Sequence, residues 1–246
     1  MCAPGLRPAH HDPLSNLIPA LSLDRHAKAR LSLEVAMESL IVAHGVTHLL
    51  PDGRRLFERL TFSLSTGITG LVGANGVGKS CLARILAGTL EPAEGAVRRS
   101  LRVNLLEQHA DPPSISVAEF LAGETSFEAG PLLADIDSAA RCDRLSGGQW
   151  TRVRLAATLD EAFLILDEPT NNLDREARRF VADFLRRRRG GTLLISHDRE
   201  CLELCKSTLE LTAQGIARFG GGWSAYWQAR EEERARLDRE LQLARR

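Results

Sequence analysis

The chain has 246 residues, enough for one large domain with a subdomain and a substantial buried core. Its 32 basic residues balance 32 acidic ones, so global electrostatics give no drive toward nucleic acids or membranes, and no direct DNA binding is expected. No apolar run reaches the roughly 18–20 residues needed to span a bilayer, no basic-then-apolar leader opens the chain, and five scattered cysteines (Cys2, Cys81, Cys142, Cys201, Cys205) read as cytosolic thiols rather than disulfides or a zinc site.

Residues 1–36 are rich in Pro, Ala and Ser without a long periodic face, and are expected to form a poorly ordered extension with at most a short helix around Asp24–Leu33. A strand pattern follows Met37 (SLIVAHGVTHLL), which makes a start at Met37 plausible. A second runs over Leu56–Leu64, and a third is the apolar run Ile68–Val72. Lys79–Ala87 reads as a helix stopped by Gly88, Glu91–Gly95 as a turn and Leu101–Glu107 as a strand. Residues 109–160 change character. ISVAEFLAG is expected to be helical, an acidic, alanine-rich stretch follows, and a long helix runs on after Gly148 through TRVRLAATL. Ala162–Leu166 (AFLIL) has the continuous apolar pattern of a parallel strand covered on both faces. A helix over Arg175–Arg188, a strand over Thr192–Ile195, a helix around Arg199–Cys205 and two short strands complete the body. The chain ends in a charged helix from Trp223.

Residues Gly73–Ser80, GANGVGKS, fit G-x-x-x-x-G-K-[ST] at every fixed position. Lys79 is one of three lysines in a chain with 29 arginines. A compact ammonium on a flexible stem lies along a nucleotide's β/γ-phosphates better than a planar guanidinium does. Glycines let backbone N–H groups turn inward around an anion, and the following helix adds its positive end. Asp167 closes the apolar run before it, where a carboxylate is costly unless it binds something such as Mg²⁺. Glu168, next along, suits polarisation of an attacking water. The arginine run Arg186–Arg189 reads first as a helix end whose cations favour the negative dipole, ahead of a phosphate-binding patch.

With Leu145–Gln149 (LSGGQ) added, the chain resembles an ATP-binding cassette (ABC) ATPase domain from about Met37 to Gly222. The resemblance implies an α/β P-loop NTPase core with a mostly parallel sheet, an antiparallel β subdomain and a short helical subdomain at about 109–160. The domain would occupy 37–222 and a charged linker-like helix 223–246. It implies ATP and Mg²⁺. Gly73, Ala74, Asn75, Gly76, Val77, Gly78, Lys79, Ser80 and Cys81 would cradle the phosphates, Ser80, Gln108 and Asp167 would serve the metal, and Glu168, His197 and Gln108 would act in hydrolysis. Ser146, Gly147, Gly148 and Gln149 would hold the γ-phosphate bound on a second cassette, and Asn172–Asp174 (NLD) would couple the two sites.

EPTNNLD and SHDRE resemble the ABC-F family of soluble tandem cassettes, many of which act on ribosomes. GGGWSAYWQAREEERARLDRE resembles the passage from a first ABC-F cassette into its helical linker. The resemblance implies a cytoplasmic protein, a second cassette as partner (a homodimer or another chain) and a ribosome-associated or antibiotic-resistance role, with a membrane partner less favoured. An ATP-binding subunit of a membrane transporter and a truncated cassette that binds ATP without turnover stay open as alternatives. Cys81 stands where many relatives have Thr, the Gln108–Leu145 interval is short for the family, and His48 or Leu50 would have to replace the usual adenine-stacking aromatic ring.

Overall fold

The structure is a computed structural model that describes residues 39–122, 129–159 and 162–244. The expected extension at 1–36, including the helix around Asp24–Leu33, and the Met37 start lie outside the described residues.

Two sheets organise the described chain. The first is antiparallel: β1 (Ile41–Leu49) pairs with β2 (Arg55–Leu64) on one side and with β4 (Glu94–Arg99) on the other. The β1–β2 turn is closed by Gly53 N–H donating to the Leu50 carbonyl (2.8 Å) and Arg54 N–H donating to the Asp52 carboxylate (2.9 Å).

The second sheet has the order β5-β6-β7-β3-β8-β9. Its strands β3 (Gly67–Val72), β5 (Val103–Leu106), β6 (Phe163–Asp167), β7 (Gly191–Ile195) and β8 (Ser207–Thr212) run parallel, and β9 (Gly215–Gly220) closes the edge antiparallel to β8. Every residue of β3, β6 and β7 is buried. That burial explains why their sequences are continuous apolar runs rather than alternations. One face of the sheet packs Leu71, Phe163, Ile165, Leu193 and Ile195 against the antiparallel sheet and α1 (Lys79–Ala87). The other packs Leu164, Leu166 and Leu194 against later helices.

The helix α1 has the expected bounds and ends on Gly88, whose N–H reaches the Arg84 and Ile85 carbonyls. Strand β4 was not legible. EGAVRR shows one half-buried residue among exposed ones, so it carries no alternation and exists because β1 offers it a ladder. The expected helix over ISVAEFLAG is shorter than its pattern: α2 (Val117–Phe120) is a single turn capped by Ser116, whose hydroxyl accepts from Glu119 N–H. One further short turn, α3 (Gly130–Leu133), precedes the long helix α4 (Gly147–Thr158). The second half holds α5 (Arg175–Arg187), α6 (Arg199–Leu202) and α7 (Trp223–Ala244). Helix α6 stops short of Cys205 because Lys206 N–H already donates to the Ile68 carbonyl and starts β8. Burial pushes the Cys201 and Cys205 thiols up to about 12, leaving both protonated and unreactive.

Helix α7 is anchored at its first turn, where Tyr226 packs edge-on against Phe219 and its hydroxyl donates to Glu210 (2.9 Å). Beyond that turn Trp227, Leu237 and Leu241 are exposed. Among the described residues no helix is long and apolar enough to cross a membrane.

The arginine run divides. Arg186, Arg187 and Arg189 are exposed, whereas Arg188 turns inward, stacks on Phe184 and donates to Thr192 Oγ1 (3.2 Å) and to the Ala162 carbonyl. Arg188 thereby ties the end of α5 to β7 and to the entry of β6. Arg188→Ala is expected to lower the unfolding free energy by about 1–3 kcal/mol, because charged hydrogen bonds to half-buried acceptors are lost. Arg187→Ala should change it by less than about 0.5 kcal/mol. Urea unfolding of the two variants side by side checks the contrast.

Candidate nucleotide site

Parallel register places four loops at one edge of the sheet. Leu71 pairs with Ile195, Asp167 with Ile195, and Leu106 with Leu166. The chain leaving β3 is therefore the Gly73–Gly78 loop, the chain leaving β6 starts at Glu168, the chain leaving β7 reaches His197, and the chain leaving β5 reaches Gln108. These loops surround a cleft of about 580 Å³ whose walls include Asn75, Lys79, Ser80, Gln108, Asp167, Glu168 and His197.

The Gly73–Gly78 loop is held open by backbone geometry. Gly78, the residue before α1, has φ 106°, and a side chain there would meet the Phe57 ring at 3.0 Å. Only glycine meets both constraints. The backbone N–H groups of the first turn of α1 thus face the cleft end of the loop, a ready anion cradle. Lys79 Nζ donates to the Gly73 (2.9 Å) and Ala74 (3.1 Å) carbonyls, which arches the loop around the ammonium. Burial lowers the Lys79 pKa, while Glu168 and Asp167 hold it up.

Asp167 and Glu168 do not alternate as strand neighbours would. Asp167 is the last residue of β6, and Glu168 enters the left-handed region at φ 54° with its N–H still donating to the Ile195 carbonyl (2.8 Å). That break lets two consecutive carboxylates line the same cleft instead of opposite faces of the sheet. Both are buried, and burial pushes both carboxyl pKa values up. The Ser80 hydroxyl and the Lys79 ammonium pull Asp167 back, and His197 does the same for Glu168. Among the described residues Glu168 Oε1 has no hydrogen-bond partner, and it lies 3.6 Å from His197 Nε2. A buried oxygen of this kind is costly unless something presented in the cleft binds it. A carboxylate–hydroxyl pair (Asp167, Ser80) beside an ammonium and a glycine loop is also the donor set that hard divalent cations and phosphate oxygens require. The residues present fit Mg²⁺ and a nucleoside triphosphate.

The Ser146–Gln149 segment begins α4. Ser146 Oγ accepts from Gln149 N–H (3.3 Å) while Gln149 Oε1 accepts from Ser146 N–H (3.0 Å), a reciprocal capping box. A side chain at Gly148 would meet the Asn172 carbonyl at 2.8 Å, so the segment lies directly against the NLD loop. Further along α4, two side chains hold the chain around Gln108. Trp150 Nε1 donates to the Ala110 carbonyl (2.8 Å) and Arg154 Nη2 to the Glu107 carbonyl (2.9 Å), with the Arg154 guanidinium over the Trp150 ring. Glu107 is also paired with Arg84 of α1 (2.8 Å). Gln108 is therefore bracketed by groups from α4 and α1.

The cleft gathers Asn75, Gly76, Gly78, Lys79, Ser80, Cys81, Gln108, Asp167, Glu168 and His197, whereas Ser146, Gly147, Gly148 and Gln149 are not among its walls. Gly73, Ala74 and Val77 complete the loop behind it. Of the two substitutes for a base-stacking ring, Leu50 lines the cleft, while His48 packs against Phe57 (5.9 Å between centroids). Sequence reading missed Arg54, Leu56 and Asn171, which also line it. The Pro-Asp-Gly turn before Arg54 was the available signal, since it returns β2 alongside β1 and carries Arg54 to the mouth of the cleft.

A family model described as ABC transporter matches residues 57–171. The chain is 31% identical to the ribosome protection protein VmlR of Bacillus subtilis (strain 168), over 84% of this chain and 37% of that protein. It is 28% identical to the tylosin resistance ATP-binding protein TlrC of Streptomyces fradiae, over 86% of this chain and 52% of the relative. It is 33% identical to ATP-binding cassette sub-family F member 3 of Homo sapiens, over 72% and 28% respectively. A solved ATP-binding subunit of an ABC transporter shares the fold, with a TM-score of 0.63 at 20% identity over 74% of this chain and 90% of that one. Fold, loop arrangement and family match together define an ATP-binding cassette domain. Within that class the cassette is ABC-F-like. The chain spans between 28% and 52% of the length of these three relatives.

Two outcomes follow from the geometry. Asp167 and Glu168, with raised pKa values, favour the folded state in their protonated form, so their contribution is present below the ordinary carboxylate range and is lost as pH rises through the folded values. In metal-free, nucleotide-free solution the unfolding free energy should fall as pH rises above the ordinary carboxylate range, and Asp167→Asn should flatten that slope in urea titrations. Arg154→Met, which keeps the packing but frees the Glu107 carbonyl, is expected to lower the ATP hydrolysis rate about ten- to a hundred-fold by loosening Gln108. The melting temperature of the variant should stay close to that of the wild type.

Proposed function

We propose that this cassette binds Mg-ATP in the cleft and hydrolyses it to ADP and phosphate when a second cassette, from a homodimer or a partner chain, completes the site. The observation that carries the reading is Glu168 Oε1, buried and without a hydrogen-bond partner among the described residues, beside Asp167, Ser80, Lys79 and His197. Gly73–Cys81 would hold the triphosphate through loop N–H groups and the Lys79 ammonium. Ser80, Asp167 and Gln108 would hold Mg²⁺, which would supply positive charge against the phosphates. Glu168 accepts a proton from the attacking water, and His197 contacts the γ-phosphate and orients the Glu168 carboxylate. Ser146–Gln149 lies outside this chain's own cleft, which supports its assignment to a nucleotide carried by the facing cassette.

The names of the relatives (a ribosome protection protein, a tylosin resistance protein) support a cytoplasmic, ribosome-associated role of ABC-F type, with antibiotic resistance as one form of it. In this reading ATP closes two cassettes and hydrolysis releases them.

Mg-ATP should raise the melting temperature of the wild type by mass action. Lys79→Ala should weaken ATP binding at least about ten-fold in equilibrium titration, since a charged phosphate contact is lost. Glu168→Gln should keep ATP binding, lose about 10²–10³-fold in turnover, and run as a dimer by light scattering in Mg-ATP. A Glu168→Gln protein that stays monomeric with and without ATP, and with ribosomes fails to co-sediment, would sink the closure mechanism and the ribosomal role together.

A further inference from the structure

Helix α5 is asymmetric in charge as well as in polarity. Ala177, Val181, Phe184 and Leu185 are buried, which forces Arg175, Arg178, Arg179, Arg186 and Arg187 onto the outer faces against only two acids, Glu176 and Asp183. Arg175, Arg178, Arg179 and Arg186, joined by Arg199 at the start of α6, line a cleft of about 840 Å³. The cleft shares Glu168, Asn171 and His197 with the nucleotide cleft.

Three of these arginines are already engaged. Arg186 pairs with Asp183 (2.7 Å), Arg178 Nε donates to the Leu173 carbonyl (3.1 Å), and Arg199 lies 5.2 Å from the centre of the Trp223 ring. The Arg175 and Arg179 side chains have no hydrogen bond or ion pair among the described residues. Asp198, one of the acids in the walls, is occupied as the cap of α6, accepting from Glu200 N–H (2.9 Å) and Cys201 N–H (3.4 Å). Glu200 is exposed and Glu168 is buried. In a chain whose charges balance overall, this leaves a local surplus of guanidinium groups aimed at one recess.

We propose that this recess is a docking site for the phosphate backbone of RNA. Arg175, Arg179 and Arg186 stand at i, i+4 and i+11, on one face of the helix and about 6 Å and then about 10 Å apart along its axis. A row of planar forks at that spacing meets successive phosphates rather than a single compact anion. A protein partner would need an apolar or aromatic anchor, and Leu173 and Ala182 are the only larger apolar groups among its walls besides the buried Cys201. The assignment rests on the ribosome-associated reading above for the choice of RNA. The site itself rests on the arginines. RNA seated here would lie against the His197 edge of the nucleotide cleft, so the two ligands would sense one another.

The test uses the full chain and a fluorescein-labelled 20-nucleotide oligouridylate, with polarisation measured from low to moderate salt. Wild type should bind with a salt-dependent affinity. Arg175→Ala combined with Arg179→Ala should weaken binding at least about ten-fold at low salt and reduce the slope of log K against log salt by about 1.4, the share of two phosphate contacts to a single strand. ATP hydrolysis and melting temperature should stay at wild-type values, and Arg234→Ala with Arg239→Ala on α7 should leave RNA binding unchanged. Absence of binding by wild type, or equal affinity and slope in the Arg175/Arg179 variant, overturns the proposal. So does loss of ATP-driven self-association in that variant with RNA affinity intact, which would assign the recess to the second cassette. Wild type that binds the oligouridylate but does not co-sediment with ribosomes would refute the ribosomal role while leaving the RNA site standing.

Discussion

The parallel register of β3, β6 and β7 is the constraint on which everything else depends. Their carboxyl ends are aligned by pairings such as Leu71 with Ile195 and Asp167 with Ile195. A slip of one residue would exchange the two faces of a strand that is buried on both. It would also carry Glu168 or His197 out of reach of the loop that contains Lys79. Close packing selects the register, because Phe163, Ile165, Leu193 and Ile195 fill one side of the sheet and Leu164, Leu166 and Leu194 the other, and a slip would exchange side chains of different shape. The chemistry is thus positioned by hydrophobic packing some distance from it.

Charge at that edge is arranged at a cost. Two buried carboxylates, each with its pKa raised by loss of water, face one ammonium whose pKa burial lowers. Such a cluster is poor as a stabilising device, since desolvation works against each member. It is well suited to receiving a cation and a polyanion together, because the ligand supplies what the protein withholds. The unpartnered Glu168 oxygen and the left-handed backbone that aims it are parts of the same arrangement.

Helix α4 joins this edge to the rest of the molecule. Its first turn sits against the NLD loop at Gly148, and its next two turns grip the chain on both sides of Gln108 through Trp150 and Arg154. A displacement of α4 therefore moves Gln108 and the loop after Glu168 together. In the proposed function, a second cassette pressing on Ser146–Gln149 would act on the hydrolytic groups through these contacts. Arg188 does comparable work at the opposite end of the sheet, where one member of an apparent surface run of arginines is an internal brace.

The sequence by itself determined the elements whose own residues carry the cause. The apolar runs of β3, β6 and β7 declared double burial, GANGVGKS declared a glycine loop with α1 behind it, and Asp167 and Glu168 were legible because two acids follow an apolar strand. Other features are decided between segments and could not be read from one. Strand β4 has no apolar alternation and forms only because β1 is there to pair with it. The helical pattern after Ile115 yields a single turn. Whether Leu50 or His48 faces the cleft depended on the β1–β2 turn, which also delivered Arg54. Which of the four consecutive arginines Arg186–Arg189 turns inward was settled by where α5 stops relative to Thr192 and Ala162. Local sequence fixes what a segment can be, because propensity and burial pattern act over a few residues. Which oxygen is left unpaired, and which cation has no partner, is a property of packing, and it took the assembled sheet to decide it.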